Sequence, residues 1–407
     1  MNLKKSKQTT RLSIIFAVVC IDLIGFGIVL PLLPLYAKSY GASPVVIGVL
    51  AVSYSLGQLL FNPLWGSLSD RIGRRPVLLG SLLGSAIFYT LFGWAPSLAW
   101  LFVARTCAGV FAANISTAMA YISDITTKAD RAKGMGLIGA AFALGFIIGP
   151  AVGGFLSKFS YHWPGYGAAV LSFIALILAM AKLPESLTEP RKERPLWSAF
   201  GSFIEPIMRN LSKPEVARPI WVYFLIILAF SCMQLTFPLF THEVFNFDVV
   251  ENGYLFAFVG VLAVVLQGGL IDRLSKRFGA GPLALVGTAL GVVGMACFPF
   301  AKSLRGLLVL LALLGIGTGL STPTLTSLVS INAEESEQGA VLGVSRSIAT
   351  LARILGPLWG GWAYGLLGIN WTYWSAGGVL LLALWVGLPL LRVRPGYRKV
   401  QPAETGH

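Results

Sequence analysis

Residues 66–75 read Gly66-Ser67-Leu68-Ser69-Asp70-Arg71-Ile72-Gly73-Arg74-Arg75 and lie between two long apolar runs. Four charges fall within the six residues that begin at Asp70. A weaker copy follows 202 positions later and reads Gly268-Gly269-Leu270-Ile271-Asp272-Arg273-Leu274-Ser275-Lys276-Arg277. Gly, Leu, Asp, Arg and the final basic pair keep the same offsets. A charged segment repeated between apolar runs indicates a duplicated membrane architecture.

Composition places most of the chain in a membrane. Of the 407 residues, 56% are hydrophobic and only 12% are charged, whereas soluble proteins carry about 25% charged residues. The apolar residues form runs of about 20, the length that a helix needs to cross a bilayer; a β-barrel has short alternating segments instead. We therefore predict an all-α membrane protein with twelve transmembrane helices. The predicted spans are 12–36, 44–66, 76–94, 98–122, 134–157, 164–184, 217–240, 252–271, 281–300, 304–328, 338–362 and 371–391.

The net charge of +14 is interpreted as topology rather than as nucleic-acid binding. Of the 31 Lys and Arg, 24 lie in the N-terminal tail, in or beside the loops that follow even-numbered spans, or in the C-terminal tail. Four lie in the other loops and three lie within spans. Positive residues concentrate on the cytoplasmic side of membrane proteins. The distribution predicts that both termini are cytoplasmic. The expected location is the bacterial inner (plasma) membrane.

The second half of the chain repeats another landmark of the first. Gly356-Pro357-Leu358-Trp359-Gly360-Gly361 matches Gly149-Pro150-Ala151-Val152-Gly153-Gly154 at an offset of 207. Six plus six spans with repeated landmarks predict two pseudo-symmetric six-helix bundles, related by an axis along the membrane normal. The predicted division is a first bundle over 1–184, a cytoplasmic linker over 185–215, a second bundle over 216–395 and a cytoplasmic tail over 396–407.

Two charged side chains of the first half are predicted to lie at membrane depth. Asp22 is about 11 residues past Arg11, roughly 16 Å into span 1 and near the bilayer midplane. Arg105 lies about seven residues from the outer end of span 4. Because a charge at such depth costs at least ~2.5 kcal/mol, we expect both residues to serve a function. Arg105 is a candidate for holding a ligand or orienting a proton-carrying acid, and a structural partner is the alternative for either residue.

Span 11 carries two cations that the first half lacks. Arg346 and Arg353 are seven residues apart, which is about 20° short of two turns, so they project from nearly one face and lie roughly 10 Å apart. The aligned residues in span 5 are Gly139 and Phe146. Arg346 is nearer the cytoplasmic end and has the alternative of extending to the membrane interface.

Two further features concern helix contacts. Asp70 is placed to interact with the N-terminus of the next helix, and Asp124, at the cytoplasmic end of span 4, is placed to pair with Arg71, Arg74 or Arg75. Small residues recur at every fourth position of span 5, a spacing that forms one stripe and allows helices to approach closely. The stripe consists of Ala141, Gly145, Gly149 and Gly153, with Pro150 and Gly154 beside it. It indicates a bend or a sliding contact, or packing alone.

These segments resemble motifs of the major facilitator superfamily of transporters. Residues 66–75 are similar to its Gly-x-Leu-x-Asp-Arg-x-Gly-Arg-Arg loop between helices 2 and 3. Residues 101–109 resemble its helix-4 arginine motif, with Ala108 in place of the usual Gln, and residues 145–154 resemble the helix-5 motif of drug–proton antiporters. In the first half the nearest likeness is to tetracycline–proton antiporters, through residues 22–34 and 69–79. Spans 3 and 9 lack the acids of that group.

The resemblance implies a major facilitator fold that works by alternating access, with the site between its two halves. It implies that Asp22, which matches the helix-1 acid of the tetracycline group, couples transport to protons together with Arg105. It also implies a conformational latch on the cytoplasmic side, in which Asp70 and Arg74 pair with the neighbouring half or with Asp124. The latch residues are Gly66, Asp70, Arg71, Gly73, Arg74, Arg75 and Asp124, and the antiporter-motif residues are Gly145, Gly149, Pro150, Gly153 and Gly154.

The sequence is compatible with three functions. The first is a secondary transporter that exports amphiphilic compounds in exchange for protons. The second is a transporter, for export or uptake, of an anionic metabolite, conjugate or lipid headgroup, because the charges within the spans sum to +2. The third is a transporter-like receptor or lipid-handling scaffold. Side chains assigned to substrate binding are Asp22, Gln58, Arg105, Asn114, Gln234, Gln267, Arg346 and Arg353.

No enzymatic activity is predicted, because the chain has no nucleophile–base spacing and no phosphate loop. The four cysteines all fall within predicted spans, so we predict neither disulfides nor a metal site. The expected partners are a small-molecule substrate, protons and the lipid bilayer, without nucleic acid and without a cofactor. The proton gradient would drive transport by a monomer.

Overall fold

The computed structural model describes residues 2–127, 131–187, 213–333 and 338–392. Within these ranges, the side chains of residues 2–7, 131–133, 267, 268, 338–340 and 392 lie outside the description. Most of the predicted linker, residues 188–212, and the whole of the predicted C-terminal tail, 396–407, therefore lie outside the described residues, and the predicted division of the chain stays a prediction.

The described residues are mostly helical. The first half contains α1 (Asn2–Ser39), α2 (Pro44–Ile72), α3 (Arg74–Trp94), α4 (Leu98–Val110), α5 (Asn114–Ile125), α6 (Arg131–Ser157) and α7 (Trp163–Lys182). The second half contains α8 (Pro214–Phe245), α9 (Val249–Val265), α10 (Ile271–Phe278), α11 (Ala280–Cys297), α12 (Leu304–Ile331), α13 (Gln338–Leu366) and α14 (Gly368–Gly387). A π-helical turn, Leu266–Leu270, joins α9 to α10, and 3₁₀ turns follow α11 and α14.

The predicted all-α membrane fold with twelve spans is confirmed. Within the described ranges, eleven helical segments are long and apolar enough to cross a membrane, and α4 and α5 together form one of them. The shorter apolar helix α9 continues through the π-helical turn into α10 and forms the remaining span. The protein is thus an integral membrane protein.

Each half packs around its own first helix. Helix α1 contacts α6 and α7, and its counterpart α8 contacts α13 and α14. The two halves meet mainly where α2 packs on α13 and where α6 packs on α9. We call the end that carries Gly66–Arg75 the near end, which the sequence predicts to be cytoplasmic, and the opposite end the far end.

The charged segment of residues 66–75, which we call the hinge, is helical except for one residue. Helix α2 runs on to Ile72 and α3 starts at Arg74, so Gly73 alone forms the turn. Gly73 has φ 108°, a backbone conformation that a residue with a Cβ adopts only with strain.

The second copy of the hinge also turns at a glycine, but four residues later than the sequence alignment implies. Gly279, with φ 87°, separates α10 from α11 as Gly73 separates α2 from α3. Aligned by sequence, the position of Gly73 corresponds to Ser275, which lies within α10. The helix after Asp272 is therefore about one turn longer than the helix after Asp70.

Candidate functional site

Asp22 lies in the middle of α1 and is buried, with 7% of its surface exposed. One carboxylate oxygen, Oδ2, accepts a hydrogen bond from the side-chain amide of Asn114. The other, Oδ1, is buried without a hydrogen-bond partner among the described residues. The hydroxyl of Ser172 on α7 lies within interaction range of this carboxylate.

Asn114 reaches Asp22 because span 4 is broken. Helix α4 ends at Val110, α5 begins at Asn114, and the backbone between them leaves carbonyl oxygens without helical partners. Backbone polar groups at membrane depth are tolerated where other protein groups satisfy them. Side chains of α2 and α3 contact three carbonyl oxygens at this break: Val110 O accepts from Trp65 Nε1 at 2.6 Å, Phe111 O lies against Ser81 Oγ, and Ala112 O accepts from Gln58 Nε2 at 3.4 Å.

The break involves two predicted site residues, Gln58 and Asn114, and a third residue, Ser81, that was not predicted. Gln58 binds backbone at the break, and its assignment to substrate binding stays a prediction. Ser81 Oγ accepts a hydrogen bond from the backbone N–H of Ala113 at 3.0 Å and also contacts the side-chain carbonyl of Asn114. Ser81 thereby holds Asn114 so that its amide points at Asp22.

Arg105 is buried, with 4% exposure, and it stacks on an aromatic ring. Its guanidinium carbon lies 4.5 Å from the centroid of the Tyr54 ring, a distance suited to cation–π attraction. Its Nε and Nη1 atoms have no hydrogen-bond partner among the described residues. The only ion pairs described both involve Arg74, so Arg105 and Asp22 lie in one region without forming a direct ion pair.

Tyr54 on α2 connects these groups, although it is not among the residues predicted from the sequence. It lies within electrostatic range of Arg105, Asp22 and, across the interface between the halves, Arg353. Its ring also packs on Phe26 of α1, with centroids 5.4 Å apart. A signal was available in the sequence, since Tyr54 precedes Gln58 by four residues and shares its helix face.

The second half presents two arginines to the same region. Arg346 and Arg353 on α13 are both exposed, although they lie within a membrane span. Arg346 Nη1 contacts the sulfur of Met119, on α5 of the first half, at 2.6 Å. Gln234 on α8 is half-buried and makes no described hydrogen bond. Gln267 falls in the π-helical turn, where its side chain lies outside the described set.

The predicted latch forms a compact ion-pair network centred on Arg74. Arg74 Nη2 lies 2.5 Å from Asp70 Oδ1, and Nε lies 3.0 Å from Asp124 Oδ2. Nη1 donates to Ser69 Oγ at 2.6 Å, and Ser186 donates to the same Asp124 oxygen at 3.0 Å. Two partners were expected for Arg74, the neighbouring half and Asp124, and the described ion pair is with Asp124. All described bonds of these three charged groups lie within residues 69–186, so none crosses to the second half.

Glu185, rather than Asp70, caps the N-terminus of α3. Its two carboxylate oxygens accept the backbone N–H groups of Arg74 at 2.9 Å and Arg75 at 3.0 Å, as well as those of the two residues that follow it. Burial acts to raise the pKa of the Glu185 carboxyl, but these backbone donors outweigh burial, so the pKa lies below its ordinary value. A Cβ at Gly73 would lie 2.5 Å from this carboxylate. Asp70 instead pairs with the Arg74 side chain, and its electrostatic interaction with the N-terminus of α3 stays a prediction.

The remaining latch residues surround this network. Arg75 donates from Nη2 to the carbonyl of Met180 at 2.7 Å and so ties α3 to α7. The carbonyl oxygen of Gly66 accepts a hydrogen bond from Ser69 Oγ, and a Cβ at Gly66 would stand in open space. Arg71 lies half-buried in the last turn of α2.

The glycine stripe of α6 packs against two different helices. Gly145, Gly149 and Gly153 lie so close to the backbone of α1 that a Cβ on any of them would stand less than 3.0 Å from it. Gly154 faces the second half instead, where it meets the backbone of α9 around Gly253. The motif thus contributes to packing within the first half and to the contact between the halves.

The second half repeats this arrangement. Gly356 and Gly360 of α13 pack on α8, while Gly361 packs on Pro44 and Gly48 of α2. We call the contacts Gly154–Gly253 and Gly361–Gly48 the two glycine seams. Both lie toward the far end, where α2 and α9 begin and where α6 and α13 end.

Within the described ranges, no cluster of three or more His, Cys, Asp or Glu side chains is arranged to hold a metal ion. The groups that the fold does bring together are a partly satisfied buried carboxylate, a buried arginine, an aromatic pair and two exposed arginines. Such a set can bind a charged amphiphile and can take up or release a proton.

Known proteins similar to this chain are transporters. A family model described as Major Facilitator Superfamily matches residues 15–357 and, in an overlapping match, 269–406. The tetracycline resistance protein, class C, of Escherichia coli is 33% identical over 396 residues, covering 95% of this chain and 97% of that protein. Multidrug resistance protein 2 of Bacillus subtilis (strain 168) is 28% identical over 390 residues, covering 94% and 96%.

Solved structures agree on the architecture. The crystal structure of the human organic anion transporter MFSD10 (TETRAN) matches with a TM-score of 0.72 and 25% identity, covering 93% of this chain and 99% of that one. A bacterial homolog of the human lysosomal transporter Spinster, in an inward-facing and unoccupied conformation, matches with a TM-score of 0.74 at 15% identity, covering 95% and 97%. The second likeness shows the fold alone.

The resemblance read from residues 66–75, 101–109 and 145–154 is confirmed by these comparisons. The family consists of transporters rather than enzymes. With its twelve-span fold and its match to the family model over most of its length, the chain belongs to the major facilitator superfamily and is similar to the drug–proton antiporters within it.

Proposed function

We propose that the protein is a proton-coupled antiporter that exports amphiphilic small molecules by alternating access. The observation that carries the proposal is the buried carboxylate of Asp22, which has one amide donor, one unpartnered oxygen and no cationic partner among the described residues. An ionised acid in this environment is costly, and a change of its surroundings changes that cost. Proton binding at Asp22 can therefore be linked to the conformation of the halves.

The contacts between the halves support alternating access. At the far end the two glycine seams hold backbone against backbone, whereas the described bonds of Asp70, Arg74 and Asp124 at the near end stay within the first half. Close contact at the far end is what an inward-facing state requires, if the near end is cytoplasmic as the charge distribution predicts. An exporter loads its substrate in that state.

The named relatives support small amphiphilic substrates. They include proteins named for resistance to tetracycline and to multiple drugs, and a human structure titled an organic anion transporter. Of these three names, that of the human protein alone states a substrate charge, and the charge of the present substrate is inferred from this chain's own residues. We also propose that both termini are cytoplasmic, that the protein works as a monomer in the bacterial plasma membrane, and that the proton gradient rather than a cofactor supplies the energy.

Proton flux in inverted membrane vesicles tests the proposal. Vesicles with the wild-type protein and an imposed proton gradient should release protons when tetracycline, ethidium or an aryl carboxylate is added. Asp22→Asn removes the titratable group while keeping the side-chain shape, and it should abolish this coupled flux. Glu215→Gln, at an exposed carboxylate in the first turn of α8, is the matched control and should keep it. Undiminished coupling in Asp22→Asn would refute the assignment, as would the absence of proton flux with the whole panel.

A further inference from the structure

Two arginines of α13 face the space between the halves and not the lipid. Arg346 contacts Met119 of α5, and Arg353 lies within electrostatic range of Tyr54 of α2, so both reach residues of the first half. Arg346 also lies within range of Tyr223 on α8 and of Arg353 itself. The two exposed cations therefore lie where α2, α5, α8 and α13 approach one another.

The orientation of α13 supports this location. Gly356 and Gly360 bring one side of the helix against α8, and Gly361 brings another side against α2. By helical geometry the direction of Arg353 falls between these two sides. Arg353 is also 15 residues after Gln338 and 13 before Leu366, so it lies at the middle of the span.

These cations have no opposite charge beside them. Arg353 makes no described hydrogen bond or ion pair, and the one described contact of the Arg346 guanidinium is the Met119 sulfur, a weak acceptor. The one acid within a predicted span, Asp22, is buried in the first half and bonded to Asn114. Unpaired cations at this depth are rare unless they face water or a ligand.

An aromatic surface adjoins the cations. The rings of Tyr54 and Phe26 pack together with their centroids 5.4 Å apart, and the Arg105 guanidinium stacks on the Tyr54 ring. On α8, Tyr223 and Gln234 are eleven residues apart, about 20° from three full turns, so they share a face of that helix. An apolar or aromatic ligand body can lie against these rings while its charged group reaches Arg353.

Resting on the transport function proposed above, we propose that the substrate carries an anionic group and that Arg353 and Arg346 form the subsite that binds it. The subsite takes an aryl or alkyl compound with a carboxylate, sulfonate or phosphate group. Arg353 makes the direct contact at the middle of the membrane. Arg346, nearer the near end, attracts the anion as it enters. A guanidinium presents several N–H donors in a fixed fork that matches such groups.

Binding to purified protein in detergent tests the subsite. The probes are naphthyl and biphenylyl acetates, their neutral acetamides and the corresponding cationic ethylamines, so that within each series mainly the charge changes. Thermal stabilisation and equilibrium titration should show that the acetates bind more tightly than the amides, and that the ethylamines bind least. Affinity for the acetates should fall as salt rises, because the attraction is electrostatic.

Substitutions at Arg353 test whether this residue binds the anionic group of the acetates. Arg353→Gln should weaken acetate binding about 10- to 100-fold, while amide binding changes little. Arg353→Lys should retain part of the preference, because it keeps the charge and loses the fork. Arg305→Gln, at an exposed arginine in the first turn of α12 at the far end, is the matched control and should bind the acetates as the wild type does.

Three outcomes overturn the inference. The first is tighter binding of the ethylamines than of the acetates, and the second is equal affinity for acetates, amides and ethylamines, or no binding of any of them. The third is unchanged acetate affinity in Arg353→Gln. The test is separate from that of proton coupling, because binding in detergent needs no gradient. Asp22→Asn should lose proton flux yet bind the acetates at least as tightly as the wild type, since it removes a negative charge. Acetate binding without any proton flux would refute the antiporter and leave the anion subsite standing.

Discussion

Glu185 shows how one residue far along the chain completes a local structure. The turn at Gly73 exposes the first N–H groups of α3, and no acid within the hinge itself binds them. The carboxylate of Glu185, more than 100 residues later, accepts those of Arg74 and Arg75. The hinge sequence has the charges of a latch, but the turn at Gly73 also depends on Glu185, which follows the sixth span.

This contact predicts a pH dependence of stability. Because the folded-state pKa of Glu185 lies below its ordinary value, its contribution is present above the unfolded pKa, near 4.3, and is lost as pH falls through the lower folded pKa. Glu185→Gln should lower the free energy of unfolding by about 1 kcal/mol at pH 7, the usual value of a helix cap. Thermal unfolding of the purified protein between pH 3 and pH 7 measures this.

The low-pH comparison is the control for that prediction. The difference in melting temperature between wild type and Glu185→Gln should shrink toward the acid end, because protonation removes the same charge that the substitution removes. A difference that is constant over the whole pH range would show that the carboxylate charge is not what stabilises the hinge.

At the scale of one element, the break in span 4 decides the chemistry of Asp22. An unbroken helix would keep the carbonyls of 110–112 in its own hydrogen bonds and would place Asn114 as an ordinary interior residue. The break instead makes Asn114 the first residue of α5 and turns its amide to Asp22. The side chains of Trp65, Ser81 and Gln58 make this possible by contacting the carbonyl oxygens at the break.

Removing one of these donors should destabilise the span. Trp65→Phe leaves the carbonyl of Val110 without its 2.6 Å hydrogen bond and should cost about 1–2 kcal/mol. Trp385→Phe is the control, because Trp385 is 70% exposed on α14. Thermal unfolding in detergent compares the two variants, and equal melting temperatures would contradict the role given to Trp65.

At the scale of the whole molecule, the far end is closed by backbone contact. In the two glycine seams, helices of opposite halves approach without any intervening side chain. Beyond the seam of α6 and α9, the Tyr161 hydroxyl donates to Asp248 Oδ1 at 2.8 Å and adds a polar contact between the halves. Toward the near end, the described bonds of Asp70, Arg74 and Asp124 stay within the first half, whereas Arg346 contacts Met119 across the halves.

A larger side chain in a seam should separate the halves at the far end. At Gly253 a Cβ would meet backbone atoms of Pro150 and Gly154, which cannot move aside without moving α6. Gly253→Leu should therefore shift the population toward states that are open at the far end. Electron paramagnetic resonance distances between spin labels at Phe159 and Val244, which are exposed at the far end of opposite halves, should lengthen.

Gly378→Leu is the matched control for this experiment. It introduces the same side chain into a helical glycine of α14 that has open space around its Cβ direction. The label distances in this variant should equal those of the parent. Similar distances in both glycine variants would contradict a sealing role for the seam of α6 and α9.

The sequence alone determined the class of the protein and most of the list of candidate residues. Apolar runs of membrane length, basic loops and a repeated charged hinge follow directly from composition and spacing, because a bilayer restricts which residues can lie within it. Charges within predicted spans are visible for the same reason, and they identify Asp22, Arg105, Arg346 and Arg353 as candidates. The position of Asp124 at the end of a span identifies it as a candidate latch acid.

Only the tertiary structure decided which of these residues meet. Asp22 is bonded to Asn114 rather than to Arg105, Gln58 supports a helix break, and Glu185 caps α3. Such pairings depend on helix rotation, on a break in span 4 and on contacts between residues far apart in the chain. A residue's depth in the membrane follows from counting along one helix, but its partner lies on another helix, and periodicity within one helix carries no information about the angle of the next.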